Sequence, residues 1–132
     1  MSCLGLSGCN TAALKAAPGD AARLGGELHQ RIDQEQWADL YADADPKYKE
    51  TVEQERSKAL FQAIHRKLGN MTKITMESWQ IQATTSGTYL RAGFATTYST
   101  GATSRDNFVW RKDDGAYHLV NWEINSDALL LK

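Results

Sequence analysis

The chain has 132 residues, with 15 basic and 16 acidic side chains and a formal net charge of -1. With 42% hydrophobic residues it is sized and composed like one globular domain. No basic stripe runs through it, so nucleic acid is not expected as a partner. No apolar run reaches the ~18 residues that a spanning helix needs.

At the N-terminus, Leu6-Ser7-Gly8-Cys9 resembles the lipobox of bacterial lipoproteins. That resemblance implies a diacylglycerol anchor on Cys9, which would be the first residue of the mature chain. The protein would then be held on a membrane in the bacterial cell envelope, facing the periplasm or exterior. A signal peptide needs a basic start and about 7–15 apolar residues, and the residues before Cys9 read as the tail of such a segment. A start upstream of Met1 is therefore expected; with Met1 as the true start the protein would be cytoplasmic. Asn10 to Gly19 is rich in small residues and reads as a tether. The organisation is thus a leader and tether over 1–19 and a single domain over 20–132.

Asp20 is placed to cap a first helix, with Leu24, Leu28 and Ile32 on one stripe. Gly25-Gly26 interrupts this pattern, at a cost of roughly 1 kcal/mol per glycine, and permits close approach of another element. Trp37, Leu40 and Tyr41 predict a short second helix, with Pro46 as its stop. Thr51 and Gln54 fit a capping box ahead of a third helix. Its apolar face would be Val52, Ala59, Leu60, Ala63, Ile64 and Leu68, and Gly69-Asn70 closes it.

Beyond Asn70 the period changes to two. Turn signals at Thr85–Thr88, Ser99–Ala102 and Asp113-Asp114-Gly115 divide the rest into four strands joined as hairpins. In the first strand, the parity of Ile74 and Met76 does not match that of Trp79, Ile81 and Ala83. A β-bulge near Glu77-Ser78 accounts for the slip. Leu90, Ala92, Phe94, Thr96 and Tyr98 share a face of the second strand, and Asp106, Phe108 and Trp110 a face of the third. The fourth strand carries apolar groups on both faces, which predicts a central or doubly covered position. Helices first and antiparallel strands after make an α+β fold, in which a curved four-stranded meander wraps about three helices.

The stretches Arg31 to Tyr41, Arg66 to Gly69, Glu77 to Gln80 and Phe108 to Ser126 resemble the nuclear transport factor 2-like, cystatin-like α+β cone superfamily. Within it they look like small bacterial secreted or lipoprotein domains of unknown function. The resemblance implies a layout, not a chemistry, because such cones serve as enzymes and as binding modules alike. Cones of this kind often hold an apolar pocket between first helix and sheet. Its liners would be Trp79, Phe94, Tyr98, Phe108, Trp110 and Trp122, unless these aromatics simply fill the core.

Asp106 and His118 are the weak catalytic candidates. Asp106 would be a base if it faced that pocket, or a strand-end carboxylate paired with Arg91 or Arg105. Asn121 shares parity with Leu119 and is a weaker candidate donor to an oxyanion. His29 and Asp33, one turn apart, read as a helix-surface pair. The histidines lack metal-type spacing, and neither metal nor cofactor is expected. The expected function is a non-enzymatic envelope lipoprotein domain that binds a small molecule or a partner protein. A homodimer through the sheet is a further expectation. The alternatives are an acid–base enzyme of isomerase or dehydratase type inside the cone, and a structural accessory domain of an envelope assembly.

Overall fold

A computed structural model describes the backbone from residue 6 to 130 and the side chains from 15 to 130. The lipobox side chains, Cys9 included, lie outside the described residues. Four helices precede the sheet: α1 (Leu6–Asp33), α2 (Trp37–Ala42), α3 (Pro46–Thr51) and α4 (Gln54–Leu68). Then come β1 (Met71–Thr84), β2 (Gly87–Tyr98), β3 (Thr103–Asp113) and β4 (Ala116–Asn125), and a 3-10 turn at Asp127–Leu129. The fold is α+β, with helices N-terminal to an open antiparallel sheet in the order β1-β2-β3-β4.

The first helix does not start at Asp20. It continues back through Asn10 to Gly19, the stretch expected as a tether, and contains Pro18. Ala17 and Ala21 are fully buried and carry the Leu24, Leu28 and Ile32 stripe further upstream; alanine is the best helix former. At its other end, Asp33 accepts the Met71 backbone N–H at 3.0 Å and so ties α1 to the start of β1. Burial raises the Asp33 carboxyl above its usual value, against the pull of that hydrogen bond and of the nearby His29 and His65.

Pro46 begins a helix as well as ending one. Asp45 is the N-cap of α3, its side chain accepting from Lys47 N, and Pro46 sits just inside. Thr51 is the last residue of α3, so the expected capping box is displaced and Glu53 stands at the start of α4. The buried face of α4 is Ser57, Phe61, Ile64 and Leu68. Ala59 and Ala63 are exposed. The ring of Phe61, left out of the expected face, turns the helix to stack on Trp122 at 4.6 Å.

The strands follow the expected hairpins, and the β1 register shifts between Met76 and Ser78, as the parity slip required. β4 is an edge strand, not a central one. A second irregularity explains its two apolar faces. Val109 pairs with Asn121 while Trp110 pairs with Leu119, so Val120 is left over as a bulge. Leu119 on one side of the bulge and Trp122 and Ile124 on the other thereby reach the same buried face. Asn121 is exposed and does not share that face.

Asp45 covers part of this edge. Its backbone N–H donates to Leu119 O at 2.8 Å, and its buried carboxylate accepts from Arg111 Nε at 2.7 Å. No helix among the described residues is long and apolar enough to cross a membrane.

Candidate functional site

Strand parity puts Thr96, Ser104 and Asp106 on the buried face of β2 and β3, and α1 lays His29 over them. Asp106 accepts three hydrogen bonds. His29 Nε2 lies 2.8 Å from Oδ2, Thr96 Oγ1 donates to Oδ2 at 2.6 Å, and Ser104 Oγ donates to Oδ1 at 2.6 Å. The acceptor role of the carboxylate puts the His29 proton on Nε2. Since the Ser104 proton goes to Asp106, Tyr98 OH must donate to Ser104 Oγ, at 2.7 Å. Burial first, and the Asp106 charge second, push the Tyr98 phenol above its usual 10.0.

The pair at the centre of the cluster is sealed. His29 and Asp106 are each 1% exposed. The imidazole packs edge-on to Tyr98 and is tilted against Phe108, with ring centres 5.9 and 5.8 Å away. A carboxylate–imidazole pair is suited to proton transfer, but a general base must come within ~3 Å of the proton it takes. Here protein groups fill that space. The expected partners of Asp106 are elsewhere: Arg91 is exposed, and Arg105 pairs with Glu77 at 3.1 Å.

The aromatic set divides. Phe94, Tyr98, Phe108 and Trp110 are buried in the core. Trp122 is half-buried, donating from Nε1 to Tyr48 OH at 3.0 Å. Trp79, near the margin of the sheet on β1, is 38% exposed and is not part of the packed centre. The first four fill the buried face of the sheet, and of the six only Trp110 lines one of the hollows described below.

Space opens elsewhere. A crevice of about 240 Å³ lies between α1, α2 and the β3–β4 hairpin. Leu24, Leu28, Leu40, Leu119 and Trp110, all buried, line it. The polar groups on it are Glu27, Arg31, Asp43, Tyr117 and His118. Arg31 pairs with Asp43 at 2.8 Å and reaches Asp39 O at 3.4 Å. His118 Nδ1 donates to Asp43 O at 2.8 Å, so in the neutral ring Nε2 is the acceptor. A wider groove of about 610 Å³ at the opposite end of the sheet ends against Leu129 and Leu130. A third hollow of about 340 Å³ lies by Trp37. Thr96 and Ser104 line the wider groove, but none of the three is lined by His29 or Asp106. Among the described residues no cluster of His, Cys, Asp and Glu has the makings of a metal site.

Of the residues singled out from sequence, His118 and Trp110 come together at the crevice, and Asp106 does not join them. The reading of His29 and Asp33 as a surface pair is corrected, because His29 points into the core. Glu27 and Arg31 were missed. Their signal was an acidic and a basic residue one turn apart beside the Leu24–Leu28 stripe.

Fold and site together define a small α+β domain with a buried polar cluster and a charged crevice beside it. The chain belongs to the DUF4019 family, described as proteins of unknown function, which matches residues 25–122. Among solved structures it is similar to Aln2 from a Streptomyces species, at 14% identity and a TM-score of 0.52, over 84% of this chain and 90% of that one. At that identity the likeness is one of fold. Comparison with curated proteins gives no match.

Proposed function

We propose that this chain is a non-enzymatic domain of the bacterial cell envelope, anchored through a lipid on Cys9, that binds a small molecule in the crevice between α1, α2 and the β3–β4 hairpin. The observation that carries the binding role is the contrast between the two polar groupings. Asp106 and His29 have all their space taken by protein, whereas Glu27, Arg31 and His118 border open volume above an apolar floor.

The same contrast disfavours an acid–base enzyme built on Asp106, which has no room for a substrate; His118 does border the crevice. The sheet face opposite the helices carries exposed Arg91, Arg105, Asn107 and Glu123, so a homodimer through it has less support than ligand binding. The nuclear transport factor 2-like cone remains our reading of the architecture. It is supported by the helix-then-meander order and by the bulges that bend the sheet. The envelope address rests on the Leu6–Cys9 motif.

A thermal-melt screen with amino acids, amines, organic acids and sugars tests the binding role. At least one compound is expected to raise the melting temperature of the wild type, and to do so less in Arg31→Gln. A panel that shifts nothing contradicts the proposal. Protein saturated at 100 times Kd would gain about 2.7 kcal/mol, well within reach of such a screen.

A further inference from the structure

We infer that the crevice takes a free apolar α-amino acid as its zwitterion, with Arg31 at the carboxylate and Glu27 at the ammonium. This rests on the reading of the crevice as a ligand site and names the class of ligand.

The key observation is a pair that does not form. Glu27 and Arg31 are four residues apart on α1, with the acid N-terminal, the better order for a helix ion pair. They do not pair. Glu27 turns back to Arg23 at 3.3 Å, and Arg31 turns to Asp43 at 2.8 Å. Two opposite charges thus stand on the crevice wall, on residues whose Cα atoms are about 6 Å apart along the helix axis by helical rise. A guanidinium has five N–H donors, so Arg31 keeps capacity for a second carboxylate beside Asp43. His118 Nε2, freed as an acceptor by the Nδ1 bond, can share the ammonium. Nearby, Lys112 lies over the Tyr117 ring at 5.4 Å, Arg23 pairs with Glu27, and Lys49 Nζ donates to Ala42 O at 2.8 Å beside Asp43.

Charge and size both select. An amine without a carboxylate leaves the remaining Arg31 donors unused, and an acid without an amine meets Glu27; a ligand bearing both engages the two. At about 240 Å³ the crevice is a little smaller than the ~300 Å³ at which small-molecule pockets usually begin, which suits one amino acid and not a nucleotide. The leucines and Trp110 offer the side chain an apolar bed.

Calorimetric titration of the full chain tests this with three probes: L-leucine, 3-methylbutylamine (leucine without its carboxylate) and 4-methylpentanoate (leucine without its amine). Leucine is expected to bind at least tenfold tighter than either analogue. Glu27→Gln should weaken leucine about tenfold while leaving 4-methylpentanoate unchanged or tighter. Glu27 is half exposed, and an unaltered melting temperature of the unliganded variant checks its fold. Equal binding of all three probes overturns the inference. So does silence of all three while another class of compound raises the melting temperature, and then the crevice is still a binding site. If neither leucine nor any member of the wider screen has an effect, the binding role falls with it.

Discussion

Asp106 takes three donors on two oxygens, and that count decides what the position tolerates. An amide in its place must turn NH2 toward groups that already donate, His29 and Thr96 on one side or Ser104 on the other. Asp106→Asn should therefore destabilise although it is nearly isosteric. Asp106→Ala, which leaves all three donors buried without their acceptor, should cost about 3–5 kcal/mol in urea unfolding. A variant as stable as wild type would contradict the keystone role.

Tyr98 gives a pH signature. Its folded-state pKa is raised above the usual 10.0, by burial first. The stabilising contribution is fully present below pH 10 and is lost as pH rises past it, because the unfolded chain releases the proton first. Tyr98→Phe should lose about 1 kcal/mol at neutral pH, since Ser104 Oγ loses its donor, and should show a shallower fall in melting temperature above pH 10. An unchanged alkaline slope would argue against that assignment. At this scale the sequence was least informative. Parity placed Thr96 and Asp106 on faces with core aromatics, but nothing local says that His29, 77 residues away, closes the cluster.

Among elements, the fit of α1 on β2 is set at one glycine. A Cβ on Gly25 would collide with the Phe94 ring, whereas one on Gly26 meets nothing within 4 Å. Gly25→Ala should destabilise by about 1–3 kcal/mol through overpacking, in spite of alanine's higher helix propensity. Gly26→Ala should stabilise by about 1 kcal/mol. Equal effects of the two in chemical denaturation would contradict the packing. Elements with a clean period were legible: the Leu24–Ile32 stripe, the hairpins, and the bulge behind the Met76/Trp79 slip. α3 was hidden because proline serves equally as a stop and as a helix start. The bulge at Val120 was hidden because one extra residue mimics a strand with two apolar faces, which moved β4 from the edge to the centre of the expected sheet. The face of α4 was turned by Phe61, whose stacking partner Trp122 lies on a distant strand.

At the scale of the whole molecule, the proposed roles fall to an anchor, a scaffold and a site. The anchor predicts that expression with the upstream region gives a protein labelled by fatty acid, and that Cys9→Ala abolishes the label; an unlabelled wild type would remove the envelope address. The scaffold class was readable because helices and strands segregate along the chain. The crevice was not, because α1, α2 and the last hairpin meet there only in the folded state.

The separation of sealed pair from open crevice is the central claim, and the histidines report on it directly. Brief carbethoxylation of the native protein, followed by peptide mass analysis, compares His118 on the crevice with His29 in the core. The expected result is modification of His118 through its free Nε2 and protection of His29 until the protein is unfolded. Modification of native His29 as fast as His118 would show that Asp106 and its partners are open to solvent, and would contradict that separation.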